Sequence, residues 1–277
     1  MRILPIFLLS LFLTTEAISQ AGLSITPKRV VFEGNQQTKE VYLLNRSGET
    51  QHYNISFIEY KMEEDGSFTK IEQDEAEEGH YMASDHVRFF PRRLSLGPGE
   101  SQTVRLQLRL PRDIDDKELR SHLAFRNVPR ETPLGYADGD DEEEGFSIQL
   151  RAIYGLSIPV IVRRGDLQAD VSLGPLSLYE NDEGEEMVEV HLNRSGNKSA
   201  YGNINVFHES EQGERVQVGV VRGIGIYTPL DRRIYNVRLR NTENIDLNSG
   251  KLIVRYEYNE DRQARESQIA EEELVIN

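Results

Sequence analysis

Six histidines, His52, His80, His86, His122, His191 and His208, are the first residues whose chemistry needs placing. His80 and His86 lie six apart, but no cysteine or further histidine is spaced to complete a metal set around them. The acidic run Asp138-Gly-Asp-Asp-Glu-Glu-Glu144 is rich in carboxylates, yet it lacks the alternating ligands and central glycine of a calcium loop. The glycines of Gly219-Val-Val-Arg-Gly-Ile-Gly225 lead to Thr228-Pro229, a turn rather than the helix a phosphate cradle requires. With no cysteine nucleophile and no nucleophile elbow, neither an enzyme nor a bound metal or cofactor is expected.

The chemistry that the sequence does offer is that of the backbone. In residues 146–162 every second position is apolar: Phe146, Ile148, Leu150, Ala152, Tyr154, Leu156, Ile158, Val160 and Val162. The residues between are mostly small or polar, with Ile153 and Ile161 as exceptions. Period-two alternation marks a β-strand with one face on a core. At roughly 3.3 Å per residue such a strand would span on the order of 55 Å, more than a small sandwich needs. Either it bends, or part of its apolar face is meant for another molecule. Pro159 cannot donate to a ladder, so it belongs at an edge or a bulge, and a break there would divide an early donor segment from a later core segment.

The elements that must position such a strand are also strands. Runs at 30–32, 40–44, 53–59, 94–96 and 104–110 precede it, and runs at 170–173, 187–192, 202–207, 216–221, 234–239 and 251–258 follow. They are β-branched or aromatic and are bounded by Gly, Pro, Asn or Ser. Nothing reads as a long amphipathic helix, so the class is all-β, built from sandwiches. Asn45-Arg46-Ser47-Gly48 and Asn193-Arg194-Ser195-Gly196 each lie between two strands, which suggests that one sandwich unit has been duplicated. The boundary is expected near Arg163-Arg164-Gly165. Two acidic stretches, residues 63–78 and 138–144, interrupt the order. They read as solvated loops, or as loops that order on binding a partner.

The first residues carry Arg2, an apolar run from Ile3 to Leu13, and small residues Ala17 and Ser19 before Gln20. That is the form of a secretory signal peptide over residues 1–19, too short for a membrane span. An exported protein without membrane insertion is expected, and the absence of cysteine leaves it without disulfides in an oxidising compartment. The net charge is −15, and losing Arg2 and Glu16 with the leader does not change it. Such a surface repels nucleic acid.

Several blocks, taken in order, resemble the periplasmic chaperones of the chaperone–usher pilus pathway. They are Ile25-Thr-Pro-Lys-Arg29-Val-Val-Phe32, then Phe90-Pro91, then Leu94-Ser-Leu-Gly-Pro-Gly-Glu-Ser-Gln102-Thr-Val-Arg-Leu106. Leu110-Pro-Arg-Asp113, Ser121-His-Leu-Ala-Phe-Arg-Asn-Val-Pro129 and the long alternating strand complete the match over roughly residues 22–164. The second half is similar mainly in length and strand pattern. The resemblance implies two tandem Ig-like β-sandwich domains, residues 20–164 and 165–277, in an angled, boomerang-like arrangement. It also implies a periplasmic protein that caps pilus or fimbrial subunits by donor-strand complementation and hands them to an outer-membrane usher.

By position, Ile148, Leu150, Ala152 and Tyr154 would be the subunit-binding donors, while residues from Ile158 onward serve the domain's own core. Arg29 matches the first-strand arginine that grips the subunit's C-terminal carboxylate, a role suited to a guanidinium fork. The family's partner lysine is absent, and Pro159 falls on its position. Arg163 falls at the domain-junction arginine, whose carboxylate partners fix the angle between domains; a solvated strand-end charge is the alternative. Against the chaperone stands a secreted structural or adhesive Ig-like protein whose long strand is merely shared between domains. An exposed edge on that strand with partly uncovered apolar side chains would separate the two.

Overall fold

The chain folds as two β-sandwiches in a computed structural model that describes residues 22–111, 114, 116–128, 154–240, 242, 245–258 and 268–276. The first sandwich contains β1 (Leu23–Thr26), β2 (Val30–Phe32), β3 (Thr38–Asn45), β4 (Gln51–Met62) and β5 (Phe68–Ile71). After two single 3-10 turns, Gln73–Glu75 and Ala83–Asp85, come β6 (Val87–Phe90), β7 (Arg93–Leu96), β8 (Ser101–Leu108), β9 (Lys117–Asn127) and β10 (Gly155–Arg164). The second holds β11 (Ala169–Leu173), β12 (Ser177–Glu180), β13 (Glu186–Gly196), β14 (Ala200–Glu209), β15 (Arg215–Ile226), β16 (Arg232–Arg238), β17 (Lys251–Tyr258) and β18 (Gln268–Val275).

Alternation dictates which faces meet. In the first unit a sheet ordered β1-β3-β8-β6 packs on a sheet ordered β2-β10-β9-β4-β5, with β7 also paired to β4. Val41 and Leu43 of β3, Val104 and Leu106 of β8, Leu123 and Phe125 of β9, and Val160 and Val162 of β10 are all buried between them. In the second unit β11, β12 and β16 all pair with β13, opposite a sheet ordered β15-β14-β17-β18. Its core is separate, centred on Val188, Val190, Ile204, Val206, Val254 and Tyr256. Burying each such side chain contributes about 1.5–3 kcal/mol, which is what stabilises a chain without disulfides.

The duplicated pattern is present in topology: β1-β3-β8 of the first unit corresponds to β11-β13-β16 of the second. The shared tetrapeptide, however, does different work in each. Asn45 is buried, and its amide nitrogen donates to the carbonyls of Glu49, Leu96 and Gly97 at 2.7, 2.9 and 3.1 Å. In the second unit Arg194 is the buried residue, donating to the carbonyls of Leu230, Gly196 and Lys198 at 2.7–2.9 Å.

Between the units Gly165 adopts φ +78, and a side chain there would fall on the Asp116 carboxylate. Asn197 ties the junction by accepting from the Gln168 amide at 2.9 Å and donating to the carbonyls of Asp116 and Asp166 at 3.3 and 3.2 Å. The acidic stretch after β4 is not a free loop. Its first part is the tip of the β4–β5 hairpin and docks on the second sandwich, where the Ile234 amide donates to the Glu64 carbonyl at 2.7 Å. One terminal nitrogen of Arg232 there donates to both Glu64 carboxylate oxygens, at 3.0 and 2.9 Å. The tip thereby pairs with β16, an edge strand that would otherwise present open backbone groups.

Candidate functional site

β10 is closed on one side and partly open on the other. Its whole length pairs antiparallel with β9, from Gly155 opposite Arg126 to Arg164 opposite Lys117. On its outer side β2 pairs in parallel only with Val160–Val162. Among the described residues no strand covers that outer edge from Gly155 to Pro159. The Asn127 amide donates to the Tyr154 carbonyl at 2.9 Å, which fixes the phase of the ladder. Antiparallel pairs alternate between bonded and non-bonded, so Pro159 and His122 form a non-bonded pair and the proline nitrogen faces the outer edge. The strand therefore passes through Pro159 unbroken, with the proline at an edge position, one of the two places expected for it: β9 calls for no ladder donor there, so proline is tolerated.

Side chains follow the same alternation. Ile158, Val160 and Val162 are at most 4% exposed, whereas Tyr154 is 67% and Leu156 44% exposed on the same line. Beside them Ile58, Tyr60, Ala124 and Leu156 help line a shallow cavity of about 260 Å3. Of the donor residues expected from sequence, Tyr154 is thus an exposed apolar side chain next to an unpaired edge. Ile148, Leu150 and Ala152 lie outside the described residues, as do the acidic run 138–144 and the leader 1–19.

Arg29, just before β2, reaches into the cleft between the sandwiches. Its guanidinium carbon lies 3.9 Å from the centre of the Tyr201 ring, and one nitrogen donates to the Tyr227 hydroxyl at 3.2 Å. Arg29 is half-buried, and its other donors have no hydrogen-bond partner among the described residues. The Tyr227 ring is also covered by Arg120, at 3.5 Å, and approached by Phe68, at 6.0 Å.

Arg163 is built into a buried ion network. Its Nε donates to Glu118 at 3.0 Å and a terminal nitrogen to Glu33 at 2.6 Å. The other Glu118 oxygen accepts from Arg120 at 2.9 Å and from the Ser199 hydroxyl of the second sandwich. Arg120 also donates to Ser199 at 2.6 Å. Burial pushes the Glu118 carboxyl up, but Arg120, Arg163 and the Ser199 hydroxyl together hold it below the usual range. Burial dominates for Arg120 and lowers its pKa despite Glu118. Two arginines and two glutamates of the first sandwich thus neutralise one another at the junction, and Ser199 links them to the second.

The face of β9 that carries Glu118, Arg120 and His122 is covered by the second sandwich and by β5. His122 packs edge-on against Tyr60 and Phe68, with ring centres 5.0 and 5.6 Å apart. Burial, with help from Arg120 and His80, drives its pKa down to about 4. Arg120 Nε and His122 Nδ1 are buried and have no hydrogen-bond partner among the described residues.

Glu118, Arg120, His122, Tyr201 and Tyr227 were not legible as site residues. A strand reading Lys117-Glu-Leu-Arg-Ser-His-Leu-Ala-Phe-Arg-Asn127 has the alternation Leu119, Ser121, Leu123, Phe125 on its core face, and that was the available signal. Arg29 and Arg120 both place guanidinium groups at the cleft, and two donations from Arg120 already go to Glu118 and Ser199.

Among the described residues no cluster of three or more His, Asp or Glu could hold a metal ion, and no helix is long and apolar enough to cross a membrane. No protein-family model and no curated protein matches the chain. Among solved structures, the chain is similar to a chaperone–tip adhesin complex of CFA/I fimbriae, at 15% identity and a TM-score of 0.47, covering 91% of this chain and 99% of that one. The YadV chaperone matches at 13% identity and a TM-score of 0.47, over 92% of this chain and 100% of that one. The CsuC–CsuE chaperone–tip adhesion subunit pre-assembly complex of Acinetobacter baumannii matches at 12% and 0.47, over 91% and 98%.

Proposed function

We propose that this protein is a periplasmic chaperone of surface-fibre subunits, of the chaperone–usher kind and from a branch without the cleft lysine. It caps an incomplete pilus or fimbrial subunit by adding a strand, residues 146–159, to the subunit's open sheet. The backbone edge of that segment supplies the ladder, while Ile148, Leu150, Ala152 and Tyr154, continued by Leu156, fill the subunit's groove. Arg29 holds the subunit's C-terminal carboxylate with the donors it does not spend on Tyr227. Arg163, through Glu118 and Ser199, keeps the two sandwiches in the relation that brings Arg29 and the donor edge together. An outer-membrane usher receives the capped subunit, and residues 1–19 direct export.

The observation that carries this reading is the outer edge of β10, unpaired from Gly155 to Pro159 among the described residues, with Tyr154 and Leu156 exposed beside it. An open edge with apolar residues is an aggregation hazard unless something is meant to dock there.

The test is co-purification of the tagged protein from its native periplasm beside its Leu156→Glu variant. The proposal expects a small β-rich secreted subunit with the unaltered protein. The variant should hold it about tenfold or more weakly, since one buried leucine contributes about 1.5–3 kcal/mol. Equal recovery from both proteins, or no subunit from either, favours a stand-alone structural or adhesive Ig-like protein.

A further inference from the structure

On the far side of β4, with β9 between it and β10, the first sandwich carries a second gap in its sheets. On the side of β4 away from β9, β7 pairs with Gln51–Asn54 and β5 with Glu59–Met62, while the Ile55 amide donates to the Arg92 carbonyl at 2.8 Å. Among the described residues no strand covers Ser56, Phe57 and Ile58 on that side. Because Ile55 bonds outward there, alternation turns the Phe57 N–H and C=O outward too, into the gap. The gap opens into a cavity of about 280 Å3 lined in part by Ile55, Phe57, Val87 and Phe89, with Arg88 and Arg92 at its rim. Phe57 and Phe89 meet edge to face, with centres 5.3 Å apart.

The segment that frames this notch is basic in an acidic chain. Residues 87–111 contain five arginines, Arg88, Arg92, Arg93, Arg105 and Arg109, against a single carboxylate, Glu100, in a chain of net charge −15; of these arginines Arg88 and Arg92 line the notch, and Arg105 lies 3.8 Å from Glu40. All five arginines are exposed, and Phe90 beside them is 76% exposed. Arg88 is steered by a bond to the Ser84 carbonyl at 3.0 Å, and Arg92 lies 5.9 Å from the Phe89 ring centre.

We propose that this notch is a docking site for an acidic segment of a partner protein, with one apolar side chain entering the cavity and flanking carboxylates held by Arg88 and Arg92. Phe90 provides the apolar rim, and the open Phe57 peptide groups receive one stretch of partner backbone. Guanidinium forks over an apolar floor match a carboxylate beside an aromatic or aliphatic anchor. A peptide fits better than an extended polyanion, because the gap offers backbone pairing and the net charge repels polyanions at longer range. The site is separate from the β10 edge, so the two can fail independently.

The test uses the mature protein and a short fluorescein-labelled peptide with one phenylalanine flanked by glutamates, read by anisotropy. The expected result is binding that weakens as salt rises and falls about tenfold or more in Arg88→Glu/Arg92→Glu. Phe90→Ser should weaken it too, while Arg222→Glu on the second sandwich and Leu156→Glu on β10 leave it unchanged. Circular dichroism establishes that each exposed-site variant is folded. Equal peptide affinity in the double variant overturns the proposal. So does tighter binding of single-stranded DNA or phosphatidylglycerol vesicles at the same arginines, which would make the surface one for nucleic acid or membrane.

Discussion

Pro159 stands opposite His122 across the β10–β9 ladder, and the pair defines which side of the strand is closed. Proline at a non-bonded position leaves that side intact and removes one donor from the outer edge. Once β2 begins to pair at Val160, the strand belongs to its own sheet. Before Pro159 the outer backbone groups of β10 have no strand partner among the described residues, and the apolar line runs out into solvent at Leu156 and Tyr154. The division of labour expected along this strand is therefore set by where β2 starts and not by a kink.

Arg29→Ala is expected to weaken subunit capture about tenfold or more, the scale of a charge-assisted bond to a carboxylate. The same change removes the stacking on Tyr201 and should lower stability by only about 1 kcal/mol, because the contact is half-exposed. Parallel urea melts and capture assays separate the two effects. A larger stability loss with capture unchanged would show Arg29 to be a bridge between the sandwiches and nothing more.

Glu118→Gln is expected to be severe. It leaves Arg120 without its buried carboxylate and Arg163 with only the part-exposed Glu33, at a cost of about 3–5 kcal/mol. Urea unfolding measures this, and a loss under about 1 kcal/mol contradicts the network described. Arg232→Glu at the hairpin tip makes a useful contrast. Its pair with Glu64 is about half exposed on both sides, so it should change stability by less than about 1 kcal/mol and respond to salt.

How much of this was legible in the sequence depended on whether polar residues faced water. The two sandwiches could be read because their inner faces alternate cleanly, and β17 falls on the very residues 251–258 expected of it. β9 could not, because Glu118, Arg120 and His122 look like a solvated face and that face is covered by the second sandwich. The acidic hairpin tip read as solvent-facing for the same reason: its partners Arg232 and Ile234 lie far along the chain. Sequence spacing does not report contacts between domains. The resemblance pointed to Arg29 and Arg163, whose side chains do meet residues of that junction, but not to the tyrosines, Ser199 or Arg120.

The buried His122 makes a pH prediction. Its folded pKa, about 4, lies below the ordinary 6.5. As pH falls from 6.5 toward 4 the unfolded chain binds a proton that the folded chain refuses, so stability declines across that window. The loss from this one group reaches about 3 kcal/mol and levels off below the folded pKa. His122→Phe should flatten the stability profile between pH 6.5 and 4 in urea titrations. An unchanged slope would assign the acid sensitivity elsewhere, with His80, also lowered by burial, as the next group to replace.

Because the chain contains no cysteine, Ser157→Cys places a single thiol on the exposed outer face of the open edge. Labelling it with a photoactivatable cross-linker in the periplasm and mapping the adduct by mass spectrometry tests strand donation most directly. The account predicts one dominant adduct, to an edge strand of a secreted β-rich subunit, and its loss when Leu156→Glu is added. A thiol that cross-links only within its own chain, or to no defined partner, while the protein remains folded, would contradict it.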